Sequence, residues 1–470
     1  MSTLPDGICK QLFACFIVSM PLLMAGTTLG WSSPMMEYTL KGTAPVHLTS
    51  EQESWMVTLI DVGNVLLSLP AGIMMDKIGR KMSVYLTVPI TLAGWILILA
   101  ARQPWHLYVA RFLHGSAMAI SLIVSPSYVG EMASISVRGS LALVVELTYA
   151  SGLLLSYVVG WLANYETLAI VGAVIPVITG VLMVFIPESP YYLMMVGKPE
   201  EAARSLRKLR NCGDEEFEEE LEIVRLSITE EKCKGQLTDL LNRDRAPLII
   251  VLTLAALQMA CGASVMEAYA SSVLYGTGLS PNASAVIFGL FIVVACVPFA
   301  LTVDRYGRRP LFMASCVGTT LCHVFIAALL SGDNGGSVGV QSMTSLDGWL
   351  LLASVCGAEF FINIGLMPVL SVIQCEYFPS DTRGLANSAV VFTITFTSTI
   401  MLKIYQPVTD AYGKRANFIG YAVITFFGGL FCYFCVPETK GKSFLQIQTD
   451  FETYAWRNGK TRRRRNYERI

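Results

Sequence analysis

Along most of this chain the apolar residues neither alternate nor recur every third or fourth position. They run on for about 20 residues at a time, the length a helix needs to cross a bilayer. Twelve such runs stand near 11–30, 54–75, 82–101, 106–130, 140–163, 167–186, 247–276, 284–303, 311–331, 347–374, 385–407 and 416–436. Hydrocarbon offers no partner to a backbone N–H or C=O, so each run must pair its own backbone as a helix. The pattern predicts an all-α membrane protein with twelve transmembrane helices. The first run has no basic stretch before it and no clear small-residue cleavage site after it, so a retained helix is expected rather than a signal peptide.

The polar pattern interrupts the runs once, over 187–246, a stretch rich in Glu, Lys and Arg. Within it Pro199 can open a helix whose Ala202, Ala203, Leu206 and Leu209 share one face, and DEEFEEELE (214–222) begins a second. The expected organisation is a six-helix bundle over 1–186, a cytoplasmic linker with short helices over 187–246, a second bundle over 247–436 and a tail over 437–470.

Charge sets the expected sidedness. The chain is 53% hydrophobic and only 15% charged, against ~25% charged in soluble domains. With both termini in the cytoplasm, all but six of the 34 Lys and Arg fall on that side; the six are Lys41, Arg102, Arg111, Lys403, Lys414 and Arg415. Trp31, Trp55, Trp105, Trp161 and Trp349 then lie near the outer helix ends, as an interfacial belt. None of the twelve Cys falls in an outer loop, which argues against a disulfide framework, and Cys432 and Cys435 read as packing residues within an apolar helix.

The two halves repeat each other. GIMMDKIGRK (72–81) follows the second run and ALTVDRYGRRP (300–310) the eighth; Glu131 precedes Arg138 by seven residues and Glu376 precedes Arg383 by seven; PESP (187–190) ends the sixth run and PETKG (437–441) the twelfth. In D-x-x-G-R-[RK] the glycine permits a tight loop, Asp76 or Asp304 can cap or pair, and Arg80 and Lys81, or Arg308 and Arg309, stay outside the membrane. With Glu131, Arg138, Glu188, Glu376, Arg383 and Glu438 on the same face, these charges can form ion pairs that hold the halves together in one state and release them in another. A role in anchoring topology alone is the other reading.

These motifs as a set, D-x-x-G-R-[RK] twice, EMASISVRG with EYFPSDTRG, PESP and PETKG, resemble the sugar porter branch of the major facilitator superfamily. GWSSP (30–34) and PESPYYL (187–193) resemble its insect facilitated trehalose transporter-like group, and the match runs from about residue 20 to 445. The resemblance implies two six-helix bundles, a central solute site and cytoplasmic gating by the charges just named. The solute positions depart from the family pattern. Q-Q-x-x-G-x-N on helix seven is here Gln258, Met259, Gly262 and Ser264; the Gln common on helix five is Glu146; G-P-x-P-W on helix ten keeps Pro368 but has Leu370 and Ser371; Ile292, Ile394 and Thr395 replace polar or aromatic residues of helices eight and eleven. The expected substrate-binding residues are Gln258, Ser264, Glu146, Tyr269 and Asn363, with Tyr269 near the outer gate by resemblance.

Three acids interrupt apolar runs: Asp61, Glu146 and Glu267. Ionisable groups there face a cavity or a partner, so the three are candidates for a proton or cation site; pairing with Arg111 or Lys403 is the bland alternative. Gly262, Ala263 and Ser264 are expected to break helix seven, which turns Glu267 towards Ser264. Asn282 begins an outer-loop glycosylation sequon, and TRRRR (461–465) is a basic cluster that anionic lipid or solvent could meet. No nucleotide-binding motif, metal-ligand cluster or cofactor site is found, and neither enzyme activity nor nucleic acid binding is indicated. The expectation is a plasma-membrane carrier of a small polar solute, a sugar such as trehalose or a hexose, by alternating access. The alternatives are a proton-coupled or cation-selective carrier of another solute, and a sugar sensor that does not transport.

Overall fold

The computed structural model describes residues 6–133, 138–209, 237–275, 277, 279–330, 345–378 and 380–440, with isolated positions at 217–225 and Phe451. The described residues are helical almost throughout and contain no strand. The first half comprises α1 (Asp6–Gly30), α2 (Ser32–Leu40), α3 (Ser50–Ile78), α4 (Arg80–Leu99), α5 (Pro104–Met132), α6 (Arg138–Leu162) and α7 (Tyr165–Met183). Short helices α8 (Pro190–Met195), α9 (Pro199–Leu209) and α10 (Leu237–Asn242) follow. The second half comprises α11 (Arg245–Ala260), α12 (Ala263–Ala268), α13 (Ala270–Val273), α14 (Pro281–Tyr306), α15 (Arg308–Leu329) and α16 (Ser345–Phe361), a π turn (Ile362–Leu366), then α17 (Met367–Tyr377), α18 (Ser380–Tyr412) and α19 (Lys414–Cys435).

Eleven spans among the described residues are long and apolar enough to cross a membrane, and α14 supplies a shorter twelfth over Pro281–Cys296. The helix expected over 199–209 is present as α9, with Ala202, Leu206 and Leu209 buried. The second linker helix and the basic tail fall largely outside the described residues.

Packing repeats with the sequence. In the first half α1 lies on α6, α4 on α5 and α4 on α7; in the second, α11 on α18, α15 on α16 and α15 on α19. The halves meet chiefly where α3 lies against α18 and α6 against α14.

Two of the spanning segments are not continuous helices. The seventh stops at Ala260 and restarts at Ala263, because Gly262 takes φ +90°, a conformation that L side chains resist. The tenth loosens into the π turn before Pro368. π turns concentrate at functional sites.

Trp31 departs from the expected interfacial belt. It is fully buried, with the Arg111 guanidinium 5.6 Å from its ring, whereas Trp55, Trp105, Trp161 and Trp349 are exposed. Trp31 is itself helical, at φ −59° and ψ −30° between α1 and α2, and its ring is covered by Tyr165 at 6.3 Å as well as by Arg111.

Gly262→Ala tests the break. A Cβ there would stand 2.6 Å from the Tyr421 ring, and the left-handed conformation adds about 1–2 kcal/mol of strain. The variant is expected to melt at lower temperature in detergent; an unchanged melting curve would mean that the break does not require glycine.

Candidate functional site

The broken seventh segment carries polar groups into the interface between the halves. Gln258 ends α11, 7% exposed, with its amide nitrogen against the Met367 sulfur and its Oε1 without a protein partner. Ser264, in the first turn of α12, is buried with Oγ also unpartnered. Glu267 is buried too. Its carboxylate accepts from the Tyr149 hydroxyl at 3.4 Å and its backbone carbonyl accepts from Tyr157 at 2.6 Å. Both tyrosines come from α6 in the other half, so Glu267 faces protein rather than lipid. Tyr269 is fully buried, its ring 4.6 Å from that of Tyr405.

The three acids read from the sequence come together. Asp61 and Glu146 both lie within electrostatic reach of Glu267. Asp61, on α3, is buried, lies beside Ser398 of α18 and faces the charge of Arg111. Arg111 is fully buried; its Nε donates to the Met56 carbonyl at 3.3 Å and its Nη1 to the Thr28 carbonyl. Glu146 on α6 differs in being exposed, and its charge reaches Cys296 of α14 as well as Glu267. Lys403 turns away from these acids, towards Ser54 Oγ at 3.4 Å and the Trp55 ring at 4.0 Å.

A fourth acid belongs to this group and was not singled out from the sequence. Glu359, one turn before the π turn, is fully buried. Its Oε1 accepts from Asn363 at 2.9 Å, its Oε2 has no protein partner, and its charge acts on Glu267. Its signal was the one that marked the others, a carboxylate within an apolar run.

Two further residues escaped sequence reading because their role is purely tertiary. Ser315 of α15 donates to the Phe361 carbonyl and accepts from the Leu366 N–H at 3.1 Å, bracing both ends of the π turn. His323, two turns further along α15, sits 3.0 Å from the Cys261 carbonyl at the break in the seventh segment. A carbonyl only accepts, so Nε2 carries the proton. One helix thus holds both hinges.

At the end that carries the D-x-x-G-R-[RK] loops, the described ion pairs close within each half. Arg80 meets Glu131 at 2.8 Å and Asp76 at 3.5 Å; Arg308 meets Glu376 at 2.9 Å. Glu188 accepts the backbone N–H groups of Arg80 and Lys81 at 3.2 and 3.1 Å, as Glu438 accepts those of Arg308 and Arg309 at 3.1 and 3.0 Å. Gly79 and Gly307, at φ +95° and +92°, aim these amides. Lys81 Nζ and Arg309 Nη2 then anchor on the Ile186 and Tyr433 carbonyls. These contacts tie α4 to α5 and α15 to α17, so in this conformation the described pairs lie within each half rather than between them. The side chains of Arg138, Asp304 and Arg383 lie outside the described residues.

Bonds between the halves gather towards the opposite end. Ser271 donates its N–H to Ser33 Oγ at 2.9 Å and its hydroxyl to the Ser33 carbonyl at 2.5 Å. Ser50 donates to Asp410 at 2.6 Å. Asn282 donates its backbone N–H to Glu37 at 2.9 Å and its Nδ2 to the Gly160 carbonyl at 3.0 Å. Asn282 is therefore buried and engaged, and this conformation does not present it for glycosylation.

A family model described as "Sugar (and other) transporter" matches residues 14–451. The facilitated glucose transporter member 8 of Bos taurus is 29% identical over 460 residues, covering 94% of this chain and 95% of its own. The facilitated trehalose transporter Tret1 of Bombyx mori is 30% identical over 449 residues, covering 93% and 86%. Among solved structures, the major facilitator superfamily proton:xylose symporter XylE bound to 6-bromo-6-deoxy-D-glucose superposes with a TM-score of 0.75 at 20% identity, over 95% of this chain and all of that one. XylE from E. coli in a partially occluded inward open conformation gives 0.75 at 19%, over 93% and 100%.

Tyr157→Phe removes one clasp between the halves. A hydrogen bond of this kind contributes about 1 kcal/mol net, so the balance should move about fivefold towards states opened at the clasped end. Labelling of a cysteine placed beside Ser271 by an impermeant thiol reagent should rise accordingly; unchanged labelling would show that this bond does not clasp.

Proposed function

The chain belongs to the sugar (and other) transporter family and is a transmembrane sugar transporter of the major facilitator fold; we propose that it carries trehalose or a hexose across the plasma membrane by alternating access, with both termini in the cytoplasm. The observation that carries this reading is the asymmetry of the interface. The halves are clasped at one end by Ser33–Ser271, Ser50–Asp410 and Glu37–Asn282, while the described charges at the other end pair within each half. The abundance of Lys and Arg marks that other end as cytoplasmic. Releasing the clasp and closing the basic end exposes the interior to the opposite side. We assign that closure to Arg138 and Arg383.

The solute meets Gln258, Ser264, Glu146 and the free oxygen of Glu359, groups that leave polar atoms unpartnered or exposed. Asn363 serves by holding Glu359, and Tyr269 by closing the clasped side. Glu146, in place of the family's helix-five amide, still accepts bonds from sugar hydroxyls, and a charged acceptor binds them more strongly than a neutral one. What is lost is the amide donor, which favours solutes presented chiefly through their O–H groups.

A second reading, proton coupling, is favoured by one specific observation: Asp61, Glu146 and Glu359 all lie within electrostatic reach of Glu267, and of the four only Asp61 faces the buried Arg111. An acid that loses and regains its proton as the cavity changes sides couples proton flow to solute flow.

Proteoliposomes separate these readings. Uptake of labelled trehalose and glucose, with and without an inward proton gradient, is compared with protein-free vesicles. Saturable uptake of one sugar is expected; its absence with folded protein would overturn the sugar assignment, and stimulation by the gradient would establish coupling. Glu146→Gln should raise the half-saturation concentration about fivefold, because a bond to a charged acceptor contributes about 1 kcal/mol more than one to the neutral amide oxygen that replaces it. Arg138→Gln and Arg383→Gln should favour the cytoplasm-open state in cavity-cysteine accessibility; unaltered accessibility would remove them from gating.

A further inference from the structure

Away from the transport path, the described residues line a further cavity. An open groove of about 900 Å³ runs along the outer face of α15, between that helix, α19 and the end of α16. One wall is a stripe of Met313, Val317 and Leu321, spaced by four and therefore on one helix face. Val317 is 59% and Leu321 65% exposed. On a membrane-spanning helix, that exposure is to hydrocarbon. Arg309 stands at one end of the groove, twelve residues from Leu321, which is about 18 Å along a helix. Half of a ~30 Å hydrocarbon core is about 15 Å, so the groove reaches from one membrane surface to the bilayer middle.

The hollow has a sequence cause. Ala314 and Gly318, one turn apart, leave room, and the Phe361 ring fills against Gly318 so closely that a Cβ there would stand 2.4 Å from it. The internal repeat aligns Arg80 with Arg308, which puts Leu86 and Ile90 where the second half has Ala314 and Gly318. The first half thus carries branched side chains where the second carries Ala and Gly.

The charged end suits an anion. The Arg309 guanidinium lies 5.4 Å from the Tyr433 ring and donates one bond to the Tyr433 carbonyl; a guanidinium has five N–H donors in all. Glu438 also lines this end, but its carboxylate accepts the backbone N–H groups of Arg308, Arg309, Thr439 and Lys440 at 2.9–3.1 Å.

We propose that the groove binds one anionic glycerophospholipid of the leaflet that Arg309 faces, with an acyl chain along the Met313–Val317–Leu321 stripe and the phosphate on Arg309. The acyl chain then rests on Phe361, whose carbonyl accepts from Ser315 at the start of the π turn. The lipid thus meets the residue that directly precedes the π turn.

The test uses the full chain in phosphatidylcholine vesicles containing a small fraction of phosphatidylglycerol with a diazirine in the middle of its acyl chain. After irradiation, adducts are mapped by mass spectrometry. They should concentrate on Met313, Val317, Leu321 and Phe361, well above those on Ile170, Val174 and Val177, a comparably exposed stripe of α7. Ala314→Leu installs the residue that the first half carries and should abolish the excess. Ala314 is exposed, so the change adds volume only to the groove, and the melting curve checks folding. Arg309→Gln should lower labelling about fivefold, the worth of one cationic side chain at an anionic surface. Equal labelling of both stripes, or an excess that survives Ala314→Leu in folded protein, would overturn the site. Labelling undiminished in Arg309→Gln would overturn the phosphate contact.

Discussion

Hydrocarbon gives no partner to a broken helix, and this molecule breaks two helices in the middle of the membrane. Each break frees backbone carbonyls and amides that must be met from within the protein. Ser315 meets them at the π turn and His323 at the Gly262 break, and both side chains come from α15. Two hinges in different segments are thus referred to one rigid helix. The polar groups of the interface, Gln258, Ser264 and Glu359, flank these hinges, so the residues that would touch a solute sit where the backbone can change its path.

The same economy operates at the basic end. A carboxylate exposed at a membrane surface contributes little through any one ion pair. Glu188 and Glu438 are used instead as acceptors for the first amides of α4 and α15, groups that a helix start leaves unpaired. The D-x-x-G-R-[RK] loop therefore closes a helix N-terminus with a carboxylate from the end of the sixth or twelfth segment. Tyr128 and Tyr377 reinforce this by donating to the carbonyls of Pro187 and Pro437. Each half is made rigid by its own contacts, a precondition for two bodies to move against each other.

What the sequence made legible follows from this physics. Run length revealed the spanning segments, because hydrocarbon thickness admits few alternatives. The repeat revealed two halves, and the small residues at 262–264 revealed the seventh-segment break. The partners of the repeated charges were not legible. Recurrence places Arg80 and Glu131 at one membrane face, but only the antiparallel packing of α4 on α5 shows that they pair within a half. Ser315 and His323 gave no signal, since a serine and a histidine in an apolar helix look alike whether or not a hinge lies opposite. Glu359 did carry the signal, and its omission shows that the intramembrane-acid criterion must be applied to every run.

The acids and the hinges bear on each other. A buried carboxylate costs several kcal/mol unless charge or hydrogen bonds compensate it, and Asp61, Glu267 and Glu359 are buried here while Arg111 faces Asp61 alone of them. Arg111 leaves Glu267 and Glu359 uncompensated, because its guanidinium is committed to the carbonyls of Thr28 and Met56 and faces Asp61. The remaining charge must be relieved by water, by a proton or by a bound solute, and each arrives only through a cavity opened by the hinges. An interior that is electrostatically incomplete when empty favours whichever conformation admits the missing partner, and this gives the bound solute its hold over the conformational balance.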